Sequence, residues 1–337
     1  MAIPTQTNLY KILQVDPQAS QHVIDAAHKA IIGMYSFSSK DAQQIIHAYQ
    51  TLSDPFKREE YDRQLTQTSE NDLLDNRFKL IKKIGEGAMG YTYLAQHVLA
   101  DEPRCIKICS DMRTDFDEIL RREAKSIWNL SHWCIATIHD MFTLPTGRIA
   151  LVSDYAKGMH IGAWVKEVGK MDPLDVAWIA ERVINALYYL HDNHVIHGDV
   201  KPGNIIVDDD THKAVLVDFG LAMVKPTRNS VGTGYTELFA SPEQKELKRL
   251  WPQSDYYSLG LTLIYMLTGG DLDAVAKKRV PDGPQPLCSF IESLIETDID
   301  KRPDWKKENP FETFTDIRFE TFGRERSGMK KIQGKKK

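Results

Sequence analysis

A chain of 337 residues, 42% apolar and 27% charged, has the makeup of a soluble globular protein with room for one large domain and a smaller one. Its formal net charge of −4 excludes a global electrostatic pull toward nucleic acid or anionic membrane, and its longest nearly apolar run, "YYSLGLTLIYML", is too short to span a bilayer. Cys105, Cys109, Cys134 and Cys288 form no C-x-x-C pair, which argues against a zinc site and a disulfide framework and for a reducing, cytoplasmic setting; the start "MAIPTQTNLYKIL" lacks the pattern of a signal peptide.

In chain order, residues 5–65 read as helical. "SQHVIDAAHKAIIGMY" opens on Ser20 as an N-cap, and Val23, Ala27, Ala30, Ile31 and Met34 fall on one helical face. "DAQQIIHAYQTL" repeats this with Ile45, Ile46, Tyr49 and Leu52, and Asp54-Pro55 opens a charged helix, "PFKREEYDRQL". Residues 66–76, "TQTSENDLLDN", are a polar linker without apolar periodicity. Residues 77–306 read first as short strands and then as helices. Beyond about Trp305 the periodicity fades, and the segment 307–337 ends in a basic tail, "RERSGMKKIQGKKK", expected to be solvated. No internal repeat is visible.

Several motifs carry chemistry. "KKIGEGAMGYTYLA" spells G-x-G-x-x-G with Gly85, Gly87 and Gly90. The spelling alone also marks dinucleotide sites on strand-to-helix turns, but here "FKLIKKI" and "YTYLA" on either side are strand-like. That predicts a hairpin whose glycines let backbone amides close over phosphates. "PRCIKICS" puts Lys107 on the next strand, between Ile106 and Ile108. "DEILRREAKSIWNL" predicts a helix with two candidate glutamates; Glu123 shares a face with Ile119, Ile127 and Leu130, whereas Glu118 lies among polar positions. Then come "HVIHGDVKPGNIIV", with Asp199, Lys201 and Asn204, and "VLVDFGLA", with Asp218. His191, His194 and His197 cluster in the sequence, but no converging metal-ligand set is expected of them.

Jointly, these motifs resemble the eukaryotic-like (Hanks-type) serine/threonine protein kinases over residues 78 to about 305. The resemblance implies an α+β fold, the bilobal kinase fold with a β-rich small lobe and an α-rich large lobe. It implies ATP and Mg2+ as cofactors. Gly85, Gly87 and Gly90 would cover the phosphates, Thr92 and Cys105 would flank the adenine, and Lys107 would hold the α- and β-phosphates with Glu123 as its ion-pair partner. Ser153 would gate the pocket behind the adenine, whose edge would meet backbone groups of Asp154 and Ala156. Asp199 would take or orient the proton of the attacking hydroxyl, Lys201 would steady the γ-phosphate, and Asn204 and Asp218 would hold the metal. "TELFASPEQ" resembles the end of an activation segment, with Thr236 touching the catalytic aspartate and lysine and Glu243 paired with Arg302. Asp255, in "SDYYSLGLTL", would brace the catalytic loop. The chain between Glu243 and Arg302 is shorter than the family's usual length, which predicts trimmed helices.

The segment 5–65 resembles a DnaJ-type J domain in "LYKILQVDPQAS" and "AYQTLSDPFKREEYD". J domains carry His-Pro-Asp between their two long helices; here that stretch is "YSFSSKD". The resemblance therefore implies a small all-α hairpin without chaperone stimulation, a docking or regulatory module for a protein partner, or else a passive helical cap.

The leading expectation is a serine/threonine kinase that acts on protein substrates. Alternatives are a pseudokinase scaffold, a chaperone-pathway adaptor and a small-molecule phosphotransferase of the aminoglycoside-kinase type, which often spells its loop His-Gly-Asp but lacks the Lys201 equivalent and the segment ending in Pro-Glu. Gly198 stands where the family usually has arginine, which predicts little dependence on phosphorylation of Thr227, Ser230 or Thr233.

Overall fold

The structure, a computed structural model, describes residues 8–34, 40–68, 73–87, 90–109, 114–227, 230, 232, 234–303 and 307–323. The chain forms two compact units, Met1–Leu120 with Asp140–Ser153, and Arg121–His139 with Asp154–Lys337.

The first unit begins with four helices, α1 (Leu9–Ile12), α2 (Gln21–Ile32), α3 (Lys40–Leu52) and α4 (Pro55–Thr68). Leu9, Tyr10, Leu13, Ile24, Ile45, Ala48 and Leu52 form their common core. Helix α4 is clipped to α1: the Tyr10 hydroxyl donates to Asp62 at 2.7 Å, and Arg58 donates to the Tyr10 oxygen at 3.0 Å and to the Pro17 carbonyl at 2.8 Å. The face expected for α2 is rotated. Val23 and Met34 are 48% and 77% exposed, while Ile24 is fully buried, because α2 is apolar on several sides and its contact with α3 selects the stripe. Residues 35–39, where the J-domain tripeptide would fall, lie outside the described residues.

The same unit contains most of a six-stranded sheet in the order β1-β2-β3-β4-β6-β5. The strands are β1 (Leu73–Leu74), β2 (Phe78–Gly87), β3 (Gly90–His97), β4 (Glu102–Cys109), β5 (Ile138–Thr143) and β6 (Ile149–Asp154), with α5 (Thr114–Ile127) between β4 and β5. Phe78, Leu80, Tyr93, Ala95, Ile106, Ile108 and Val152 fill the core beneath one face. The Gln18 side-chain amide donates to the Gly147 carbonyl at 3.3 Å, which links the loop before α2 to the turn between β5 and β6.

The second unit is mainly helical, with β7 (Met159–His160), α6 (Ile161–Val168), α7 (Pro173–Asp192), β8 (Val195–Ile196), β9 (Ile205–Asp208), β10 (Lys213–Leu216), β11 (Met223–Val224), α8 (Pro242–Lys245), α9 (Pro252–Thr268), α10 (Leu272–Ala276), α11 (Gln285–Leu294) and α12 (Pro310–Phe322). Helix α9 is buried from Ser254 to Leu267 and packs on α7, α10 and α11, which explains its continuous apolar run. Helix α12 forms where the apolar periodicity of the sequence fades. Asn309 caps it by accepting from Phe311 and Glu312, Pro310 starts it, and Phe314 is fully buried with its ring 4.7 Å from Phe290. Among the described residues, no helix is long and apolar enough to cross a membrane.

Candidate active site

The first unit supplies one set of candidates. Strand pairing sets Thr92 opposite Gly85 on one side and Lys107 on the other. Opposed residues share a sheet face, so the three stand in one row. Ile106 and Ile108 are 0% and 1% exposed, so alternation along β4 sends Lys107 to the face away from the core, shared with half-buried Cys105. Gly87 pairs with Gly90, and a side chain at Gly90 would bring its Cβ to 2.0 Å from the Ile108 carbonyl oxygen. The third glycine is thus required by the packing of β3 on β4, whatever it also does for a ligand. Ser153 and Asp154 end β6, both half-buried. Within the second unit the Asp154 amide donates to the Thr137 carbonyl at 2.9 Å. Helix α5 runs from the first unit into the second; Glu118, in the first, is exposed and Glu123, in the second, is buried, as their helical positions predict.

The second unit supplies the other set. Between β8 and β9 the chain turns at Gly198, whose φ is +75°. Asp199 follows, and its carboxylate is held from three sides. Thr236 Oγ1 donates to Oδ1 at 2.6 Å, Lys201 Nζ lies 2.7 Å from Oδ2, and Asn204 Nδ2 donates to Oδ2 at 2.9 Å. Lys201 also donates to Thr236 Oγ1 at 2.8 Å, which closes a triangle. Because Asn204 turns its amide nitrogen to Asp199, its Oδ1 is the end that could meet a cation. Asp218 has a left-handed φ of +64° and accepts from the Gly220 amide at 3.3 Å. A carboxylate and an amide oxygen are hard donors that fit Mg2+.

A buried frame supports this loop. Asp255, 1% exposed, accepts from the amides of His197 and Gly198, each at 2.8 Å. His197 is fully buried; its Nδ1 accepts from the Asp199 amide at 3.2 Å, and its Nε2 faces the Val217 carbonyl at 3.3 Å. A carbonyl only accepts, so the proton sits on Nε2 and the ring is neutral. Burial pushes its pKa down, in line with that tautomer. Glu243 and Arg302 form a buried two-pronged pair at 2.8 and 3.0 Å, with Ser254 donating to the same carboxylate at 2.6 Å.

Two contacts escaped the sequence reading. Gln244 Nε2 donates to the Gly198 carbonyl at 2.8 Å and ties the start of α8 to the loop before Asp199. His191, to which the sequence assigns no role, lies 2.8 Å from Asp255 through Nε2. No spacing rule links residues 64 apart. Among the described residues, Asp208, Asp209 and Asp210 come together as a possible cation cluster.

Comparison with known proteins bears on the family of the chain. The protein kinase domain profile matches residues 78–309. The chain is 31% identical over 240 residues to the serine/threonine-protein kinase PrkC of Bacillus subtilis, covering 68% of this chain and 35% of that protein. It is 31% identical to the serine/threonine-protein kinase PknA of a Nostoc species, covering 58% of this chain and 38% of the relative. It is 29% identical to the serine/threonine-protein kinase PknB of Mycobacterium tuberculosis, covering 73% and 42%. The chain thus aligns with about two fifths or less of the length of these relatives. From residue 78 to residue 309, the chain belongs to the protein kinase family.

Proposed function

We propose that the chain is a serine/threonine protein kinase that transfers the γ-phosphoryl group of ATP to hydroxyls of protein substrates, its own included. The observation that carries this reading is the triangle of Asp199, Lys201 and Thr236. It supplies a carboxylate to accept the proton of an attacking hydroxyl and a cation beside it to meet the phosphoryl oxygens. Lys201 and a segment ending in Pro-Glu also favour this over small-molecule transfer, and the relatives' names point the same way.

In this reading the substrate oxygen attacks the γ-phosphorus, its proton passes to Asp199, and ADP leaves with the bond electrons. Gly85, Gly87 and Gly90 cover the phosphates; Thr92 and Cys105 flank the adenine; Lys107 and Glu123 position the α- and β-phosphates; Ser153 gates the adenine pocket, and Asp154 and Ala156 meet its edge. Asn204 and Asp218 would hold Mg2+, which supplies neutralisation of phosphate charge when bound.

The helices of residues 5–65 serve as a J-like docking or regulatory module for a protein partner. What supports this is the link from Gln18 to Gly147 and the buried Arg148, which shares its electrostatic field with Asp62 of α4. A cytoplasmic setting fits the cysteine pattern. Incubation with labelled ATP, magnesium and a generic protein substrate, followed by phosphoamino-acid analysis, tests the reading. Label on serine or threonine supports it; transfer to tyrosine alone, or to no protein, overturns it. A clear stimulation of a chaperone ATPase by residues 5–65 within the full chain would contradict the part given to the J-like module.

A further inference from the structure

Helices α11 and α12 pack together in the second unit, with the rings of Phe290 and Phe314 4.7 Å apart. Next to that contact lies a groove of about 510 Å³, lined from both helices. Pro286 and Phe290 of α11, Ile317 of α12 and Pro303 are its apolar lining, and Glu308 and Glu320 are its charged lining. Among the described residues, no lysine or arginine lines it.

Helix α12 carries more negative charge beside the groove than its own residues compensate. Glu312, Asp316 and Glu320 recur every four residues and are all exposed. None has an ion-pair partner among the described residues. Like charges at this spacing repel. The one cation in the sequence of α12, Arg318, is directed to α7, where it donates to Glu181 at 3.1 Å. The last turn holds Glu320 and no basic residue, although the partial negative charge of a helix C-terminus favours a cation. Phe319, next to Glu320, is 52% exposed. An occupant that fits this surface is both basic and partly apolar.

We propose that the groove docks the segment 324–337 of the same chain. That segment, "RERSGMKKIQGKKK", carries seven cations and one carboxylate, with Met329 and Ile332 among the cations. It starts where α12 stops. Gly323 ends the helix at φ +63°, a conformation open to glycine that lets the chain leave the helix axis. The 13 residues of α12 span about 20 Å. The fourteen residues of the segment can extend to about 46–50 Å, so it can return along the whole helix. A direct tether holds it near the groove at an effective concentration of about a millimolar, which favours it over a free partner of the same chemistry. Met329 and Ile332 cover Phe290 and Ile317, while Arg326, Lys330 and Lys331 meet the carboxylates along the edge. The docking does not rest on the kinase reading.

The test uses the full chain with the photo-crosslinking residue p-benzoylphenylalanine in place of Met329, irradiated at low protein concentration and mapped by peptide mass spectrometry. Crosslinks within one chain to the peptides of α11 and α12 are expected. Their yield should fall about five-fold in roughly 1 M sodium chloride, where the screening length is about 3 Å. It should fall by a similar factor in Asp316→Asn/Glu320→Gln, which removes exposed charges only. The salt arm needs no variant and decides the matter should that one fail to fold. Adducts scattered over the chain, no adducts at all, or a yield on α11 and α12 indifferent to salt would overturn the docking. Crosslinks to α11 and α12 that join two chains and vanish on dilution would overturn the intramolecular assignment and give the groove to the segment of a second copy.

Discussion

The carboxylate of Asp255 on helix α9 holds the backbone amide of Gly198 at 2.8 Å across 57 residues of chain. Its other oxygen takes the His197 amide and His191. One buried charge thereby fixes two consecutive peptide groups immediately before Asp199. Removing it leaves buried donors unpaired, at roughly 1–3 kcal/mol each. Asp255→Ala should lower stability by about 2–5 kcal/mol in urea unfolding and cut phosphoryl transfer more than it weakens ATP binding. A chain of unchanged midpoint and activity would show that the contact holds nothing.

Gly198 itself is a backbone requirement. At φ +75°, a Cβ would meet the Leu221 carbonyl oxygen at 2.8 Å. Gly198→Ala should therefore cost about 1–2 kcal/mol even though no side chain contact is lost. Thermal melts of the purified variant check this; equal melting temperatures would contradict it.

Thr236 joins Asp199 and Lys201 by bonds of 2.6 and 2.8 Å. Thr236→Val keeps the shape and removes both bonds. Steady-state kinetics should show kcat falling by roughly 10–100-fold with KM for ATP little changed, because the loss is of positioning at the reacting hydroxyl. Thr236→Ser should recover most of the rate.

The Glu243–Arg302 pair sets an acid limit. Burial pushes the Glu243 carboxyl up, but the hydrogen bonds of Arg302 and Ser254 outweigh burial and hold it below its ordinary value of 4.5. A carboxyl depressed on folding contributes stability that is present above the unfolded value and lost as pH falls through the folded one. Unfolding monitored from pH 6 downward should show stability falling below about pH 4.5. Arg302→Met should cost about 3–5 kcal/mol at pH 7 by leaving Glu243 buried alone, and should flatten or reverse that acid slope. Retention of the full slope in the variant would assign it to other groups.

Burial raises the thiols of Cys109 and Cys134 to about 12, whereas Cys105 is half-buried. In the native chain at pH 8, iodoacetamide should label Cys105 first and leave Cys109 and Cys134 untouched until the chain unfolds. Peptide mapping reads the order, and saturating ATP should slow labelling at Cys105.

Legibility in the sequence followed locality. The hairpin of β2 and β3, Lys107 between two buried isoleucines, and the loop from His197 to Asn204 were readable because each motif lies within a few residues. Glu123 was separable from Glu118 because helical spacing alone puts them on different faces. The buried stripe of α2 was not readable: Val23, Ile24, Ile31 and Ile32 spread over about half of the helix circumference, wider than one contact stripe, and only α3 decides which part is covered. Helix α12 was missed because its apolar residues are irregular, although Asn309-Pro310 is a start signal. The bonds from His191 to Asp255 and from Gln244 to Gly198 join distant residues, and nothing short of the fold brings them together.

The most direct measurement of the central claim compares transfer of labelled phosphate from ATP to protein by the wild-type chain and by Asp199→Asn. Asparagine keeps the size and an acceptor oxygen but cannot take the hydroxyl proton. Magnesium-dependent incorporation on serine and threonine is expected, falling by at least about 100-fold in the variant with its fold and ATP binding intact. Equal incorporation by the two chains, or none by the wild type, would contradict it.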